Sequence, residues 1–142
     1  MPQTQTVIDR LPSCATINIH NLRLRTLIGF NPDERVKKQD VVLNIEINYA
    51  IDDLVLQDSI EDALNYKLIT KAVIHHVEKG QFLLLEKLVS DVLHICCDHP
   101  SVLSSKVRID KPHALRFADS VSLTLEHRAP KTNTYPILEK AS

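Results

Sequence analysis

Two periodicities divide this chain. In "ATINIHNLRLRTLI", residues 15–28, apolar and polar positions alternate, but the phase changes part-way. Ile17 and Ile19 fall on one parity, Leu22 and Leu24 on the other. One strand keeps a single face buried across such a change only by inserting a residue, so a bulge or turn is expected near His20–Asn21. A polar connection, "GFNPDERVKKQ", follows and begins at one of only two glycines. "DVVLNIEINYA" then places Val41, Leu43, Ile45, Ile47 and Tyr49 on one face, the signature of a half-buried strand. The two strands are expected to pair as an antiparallel hairpin with a long loop.

After "IDDLVLQDSIED" the period lengthens towards four. Leu68, Ala72, Val73, His76 and Val77 form a helical stripe that stops at Gly80, a natural C′ residue. Leu84, Leu85, Leu88, Val89, Val92 and Cys96 form a second stripe, ended before Pro100. The short link between them predicts antiparallel helices. "SKVRIDK" and "DSVSLTLE" return to alternation, with Val107 and Ile109, then Val121, Leu123 and Leu125, facing inward. The order is ββααββ: an α+β fold with a four-stranded antiparallel sheet and two antiparallel helices on one face. Residues 1–13 read as a loose polar arm, 14–126 as a single domain and 127–142 as a polar tail. The strands are long and apolar, and an open sheet leaves unpaired edges. Edge-to-edge assembly into a closed multi-subunit β-barrel is therefore expected.

Composition narrows the function. The 142 residues carry a formal net charge of −1, with 25% charged and 44% hydrophobic residues. Such balance argues against a general nucleic-acid or membrane binder and makes any basic site local. Aromatics amount to 4% with no Trp, which weakens any reading that needs stacked bases. The start, "MPQTQTVIDRLPSC", lacks the basic and apolar regions of a signal peptide, and no apolar run approaches a membrane span. Three cysteines, two of them adjacent (Cys96, Cys97), suit a reducing cytoplasm better than a disulfide framework. Two glycines leave no room for a Gly-rich phosphate loop.

Against this neutral background one stretch stands out. "RIDKPHALR" gathers Arg108, Lys111, His113 and Arg116 within nine residues at a strand end. It is either a solvated corner or a place for an anion. "HICCDH" offers His94, Cys97 and His99, but no second cluster has zinc-like spacing, and Cys96 falls on the apolar stripe. His75 and His76 are adjacent and point about 100° apart on a helix, so they do not readily share an ion. No metal is expected. Glu86, near the first turn of the second helix, is ordinarily a dipole-favoured carboxylate, but it can also accept two N–H bonds from an amidine-like edge. Tyr66 opens the first helix and covers the core, or donates a proton if its hydroxyl faces a cleft. Lys111 is a solvated strand end, or a general base if it is partly buried beside other cations. Glu34 in "GFNPDER" reads singly as a loop charge.

Taken together, "GFNPDE", "LNYKLIT", "FLLLEKL" and "VRIDKPHALR" in this order resemble the dihydroneopterin aldolase family of the tunnelling fold, across about residues 15–126. "NLRLRT", "DALNY", "LLEKL" and "IDKPHALRFADSVSLTL" look more narrowly like its branch of dihydroneopterin triphosphate 2′-epimerases. The resemblance implies a general-base lysine, a tyrosine from a neighbouring subunit, a loop glutamate and a pterin-anchoring glutamate. These fall on Lys111, Tyr66, Glu34 and Glu86, with the Leu85 amide assisting. It also implies rings of four subunits stacked into octamers, with sites between subunits, and a reaction needing neither metal nor organic cofactor.

The implied chemistry is retro-aldol cleavage of the C1′–C2′ bond of a 7,8-dihydropterin side chain. If the aldehyde fragment escapes, the enzyme is an aldolase. If the fragment turns over and is recaptured, C2′ is inverted. A triphosphate on the fragment would give a basic site something to hold, an effective-concentration advantage. His113 and Arg116 are the candidate tethers, with Arg23, Arg25, Lys37 and Lys38 behind them. Three alternatives stay open at this stage: an aldolase/epimerase acting on free dihydroneopterin, a non-catalytic pterin-binding or assembly protein, and a generic ββααββ interaction domain.

Overall fold

The computed structural model describes residues 13–61 and 63–128. The expected N-terminal arm up to residue 12, and the tail beyond 128, lie outside the described residues. Strand β1 (Cys14–Ile28) pairs antiparallel with β2 (Gln39–Ala50). Their register shifts between Ile19 and Leu22, and Asn21 adopts φ 53° at the inserted position. Asn is among the few residues that tolerate this left-handed conformation. The Asn21 amide donates to Asn44 Oδ1 at 3.0 Å, and Asn44 Nδ2 donates back to Asn21 Oδ1 at 3.3 Å. The bulge therefore returns Leu22, Leu24 and Ile28 to the side that Ile17 and Ile19 already face. That is the physical origin of the phase change.

A single turn of helix, α1 (Asp53–Leu56), capped by Asp52, follows β2 and is not marked by the sequence periodicity. Helix α2 (Tyr66–Lys79) starts where Asn65 Oδ1 accepts from the Lys67 and Leu68 amides at 3.1 and 3.2 Å. Helix α3 (Leu85–Cys96) precedes β4 (Val102–Pro112) and β5 (Ser120–Arg128), so His127 and Arg128, expected in the tail, are strand residues. The four expected strands are present in the antiparallel order β1-β2-β4-β5. A fifth is added: β3 (Gln81–Phe82), a two-residue strand between the helices, lies parallel to Leu27–Ile28 at the outer edge of β1.

The core lies between one sheet face and the helix pair. Val41, Leu43 and Ile47 from the sheet and Val73, Val77, Leu88, Val89 and Val92 from the helices are completely buried. Each such side chain withdrawn from water contributes about 1.5–3 kcal/mol. Three expected stripe positions are instead exposed: Leu68, Ala72 and Leu84. The face that α2 buries runs through Ile69, Val73 and Val77, one residue round from the expected stripe. Gly80 is also not left-handed; its φ of −89° is open to any residue. It is small because a Cβ there would stand 2.5 Å from the Phe82 ring and 2.8 Å from the His76 carbonyl oxygen.

One polar contact joins the two helices, and a second, within α3, shares its carboxylate. His76 Nε2 meets Asp91 Oδ2 at 2.7 Å, and Lys87 Nζ meets Asp91 Oδ1 at 3.0 Å. Burial pushes the Asp91 carboxyl up, but the bonds from Lys87 and His76 outweigh it and leave its pKa below the usual aspartate value. The His76 ring also packs edge-on against Phe82, 5.6 Å between centroids.

On β4, Ser105 lies opposite Ile47 and is buried with its hydroxyl unpartnered among the described residues. A buried hydroxyl without a partner costs about 1–3 kcal/mol. Ser105→Ala should therefore leave the fold at least as stable, with a gain of about 1 kcal/mol in urea unfolding at fixed protein concentration. A loss of more than that amount would show that the hydroxyl is satisfied in solution.

Candidate active site

Lys111 stands near the end of β4 on the parity of Val107 and Ile109, which points its side chain towards the helix side of the sheet. Only 12% of that side chain is exposed. A lysine so placed must find an acceptor, since burying an unpaired ammonium is costly. The acceptor is Glu34, 77 positions earlier: Lys111 Nζ lies 3.0 Å from Glu34 Oε2. Lys111 is thus partly buried, but not beside other cations. Its partner is an anion.

The β1–β2 connection is shaped to deliver that carboxylate. Turn bonds run from the Arg35 amide to the Asn31 carbonyl and from the Lys37 amide to the Asp33 carbonyl, both 3.2 Å. The Asn31 amide donates to Glu34 Oε1 at 3.3 Å. Gly29 adopts φ 129° and carries the Glu34 carboxylate directly over its backbone, where a Cβ would collide with it. Here the glycine is required on both counts. Gln39 Nε2 holds the far side of the loop by donating to the Ile28 carbonyl at 2.6 Å. The Glu34 pKa is held below the usual glutamate value, chiefly by the Lys111 hydrogen bond, with the Asn31 amide, the Lys111 charge and Gln39 adding to it against burial. Gln39 and the positional demand on Gly29 were missed from sequence. The one available signal was that Gly29 is one of two glycines in the chain.

Strand β3 brings a second carboxylate to the same end. The Gly29 amide donates to the Phe82 carbonyl at 2.9 Å, so the chain leaving β3 enters α3 beside the Glu34 loop. Glu86 is exposed in the first turn of α3, next to Leu85. Leu84 at the N-cap supplies no side-chain hydrogen bond, and Leu83 and Leu84 are half-exposed. This gives a carboxylate and a helix start without a capping side chain, next to an apolar surface.

Tyr66 is elsewhere. It is 50% exposed and lines a groove with Ile17 and Ile19, whereas the other end of α2 reaches Arg25 and Thr26 through Glu78 and Val77. Lys111 follows Asp110, which pairs with Val42, and Val42 pairs with Arg23. Tyr66 and Lys111 are thus separated by nearly the length of α2, about 20 Å for its 14 residues. One subunit does not bring them together.

The basic stretch disperses as well. Arg108 lies on the opposite sheet face, its Nε 3.0 Å from Asp110 Oδ1. His113, at φ 68°, lines a depression of about 510 Å³ with Arg23, Arg25, Asp40 and Glu78. Arg25 is bound there to Asp40 at 2.8 Å, and Lys38 donates to the Glu78 carbonyl at 3.2 Å. The Arg116 guanidinium stacks 5.4 Å from the centroid of Phe117, which is 97% exposed. Among the described residues, no hydrogen bond or ion pair joins His113 or Arg116 to Lys111. The histidines of "HICCDH" are likewise engaged locally. His94 Nδ1 is 2.9 Å from the Ser90 carbonyl, and His99 Nδ1 is 2.8 Å from the Ser101 hydroxyl. Burial, with Cys97 adding, pushes the Cys96 thiol up to about 12.

The sequence profile described as FolB, dihydroneopterin aldolase, matches residues 17–126. The chain belongs to the dihydroneopterin aldolase family. Within this family, dihydroneopterin triphosphate 2′-epimerase of Pseudomonas aeruginosa is 49% identical over 114 residues, covering 80% of this chain and 93% of that protein. The Escherichia coli protein of the same name is 52% identical over 111 residues, 78% of this chain and 92% of that one. The crystal structure of E. coli dihydroneopterin aldolase in complex with neopterin superposes with a TM-score of 0.71 at 27% identity, covering 80% of this chain and 98% of that one.

Because the Glu34 pKa is lowered on folding, the ion pair stabilises the fold above the ordinary glutamate value, and that stabilisation is lost as pH falls through the lowered one. Glu34→Gln should lower stability by about 1.5–3 kcal/mol at neutral pH, and the deficit should shrink as acid protonates the wild-type carboxylate. Gly29→Ala should reproduce the deficit. Unfolding curves between pH 3 and 7 decide the matter; a pH-independent deficit would mean that Glu34 acts through packing alone.

Proposed function

We propose that this protein inverts C2′ of 7,8-dihydroneopterin triphosphate, giving the dihydromonapterin isomer by retro-aldol cleavage and re-addition. The observation that carries this is the half-buried Lys111–Glu34 pair at 3.0 Å, in a chain 49–52% identical to proteins named as the epimerase and 27% identical to E. coli dihydroneopterin aldolase. Glu86 accepts the pterin's amino and ring N–H groups, and the Leu85 amide donates to the ring. Lys111 passes its ammonium proton to the Glu34 carboxylate it contacts and, as the neutral amine, takes the proton of the C2′ hydroxyl, directly or through water. The C1′–C2′ bond breaks, its electron pair passes into the ring imine, and C2′ leaves as an aldehyde. The resulting enamine attacks the other face of that aldehyde, and the proton returns to the new C2′ hydroxyl.

Tyr66 serves as acid or relay in this scheme and comes from a second copy, which its distance from Lys111 within one subunit supports. The open outer edge of β5 and the part of β1 that β3 leaves uncovered support a ring of subunits, a tetramer or an octamer of stacked rings. His113 and Arg116, which follow Lys111 on the same connection, are the candidates the sequence offers for the triphosphate, but no hydrogen bond or ion pair joins either to Lys111 among the described residues. Cysteine usage supports a cytoplasmic protein, and no helix among the described residues is long and apolar enough to cross a membrane.

Incubation with dihydroneopterin triphosphate, followed by chromatographic resolution of the stereoisomers, should yield the monapterin isomer. Accumulation of 6-hydroxymethyl-7,8-dihydropterin instead would mark an aldolase, and pterin binding without turnover a binding protein. Lys111→Ala should reduce turnover at least about a thousandfold while pterin affinity changes little, the pattern of a lost general base.

A further inference from the structure

The groove that holds Tyr66 contains more cation than its local structure explains. It measures about 530 Å³ and lies between the edge residues Ile17, Asn18 and Ile19 of β1 and the first turns of α2, where Tyr66 is joined by Lys67, Thr70 and Lys71. Its floor is apolar and its rim carries two lysines. Lys67 and Lys71 are four residues apart, on one helix face, and neither forms an ion pair among the described residues. Two like charges at this spacing repel. A lysine in the first turn also opposes the helix dipole, which favours anions there, and α2 has no acidic residue in its first turn. Both costs disappear if an anion lies between the two ammonium groups.

We infer that Lys67 and Lys71 form the clamp for the substrate's phosphate chain, supplied in trans by the subunit that supplies Tyr66. This rests on the epimerase reading and names the residues that select the phosphorylated substrate. The depression beside His113 is less suited, because Asp40 and Glu78 line it together with Arg23 and Arg25. Arg116 is already stacked on Phe117. Among the described residues the α2 groove has no carboxylate in its lining, and it puts the two cations one and five residues after Tyr66, within about one and a half helical turns. A clamp on the triphosphate keeps the severed aldehyde beside the enamine, so the residues that bind phosphate also favour re-addition over escape.

The test uses the full-length assembled protein, with oligomeric state checked by size exclusion for every variant. In the Lys67→Ala/Lys71→Ala double variant, the ratio of kcat/KM on dihydroneopterin triphosphate to kcat/KM on free dihydroneopterin should fall by at least about tenfold. The proportion of hydroxymethyldihydropterin among the products should rise, and Lys67→Arg/Lys71→Arg should restore most of the ratio. Equal losses on both substrates, or a fall confined to His113→Ala and Arg116→Ala, would overturn the clamp. Calorimetric titration with inorganic triphosphate separates this claim from the reaction itself. Wild type should bind it and the double variant at least about tenfold more weakly, whether or not the protein epimerises. Equal affinity would overturn the clamp and leave the epimerase reading intact, whereas failure of wild type to form the monapterin isomer would overturn that reading alone.

Discussion

A lysine side chain largely withdrawn from water is the constraint around which one end of this molecule is organised. Lys111 is placed by strand alternation on the buried side of β4, and that position is tolerable only with a carboxylate in contact. The rest of the local architecture follows from bringing Glu34 to it. The connection must turn sharply, Gly29 must lack a side chain, Gln39 must anchor the loop to Ile28, and β3 must fix Gly29 through its amide. Several weak local choices therefore converge on one charge-assisted bond, and the loop between the first two strands is held rather than free.

Much of the fold could be read from the chain because its signals are periodic. The bulge at Asn21 was visible as a change of parity, and β2 as an unbroken alternation from Val41 to Tyr49. The helix positions were legible, but the exact face of α2 was not: Leu68 and Ala72 are as apolar as the residues that are buried. Two-residue β3 left no trace, since a strand that short has no period. Gly80 marked the end of the helix as expected, although what demands a glycine there is the bulk of Phe82 and not a left-handed φ.

The candidate site was legible in its residue types and much less so in its geometry. The contact between Glu34 and Lys111 spans 77 positions and has no local signature. The dispersal of the basic stretch, by contrast, was implicit in the alternation: residues 108 and 111 differ by an odd number, so a continuous strand sends them to opposite faces. Tyr66 shows what one copy alone cannot complete. A helix that starts beside Ile17 and ends beside Arg25 holds Tyr66 and Lys111 apart, so the proposed scheme draws Tyr66 from a second copy.

The short strand β3 has a further effect through where it sits. By occupying the outer side of Leu27 and Ile28, it blocks the last rung of an edge that is otherwise open down to Cys14 among the described residues. Any strand added there must stop short and sit displaced towards the beginning of β1. A closed barrel requires a stagger of register between neighbouring strands, which an offset of one sign repeated copy after copy would supply. Two residues would thus act as a molecular doorstop, favouring a finite cylinder over a fibre.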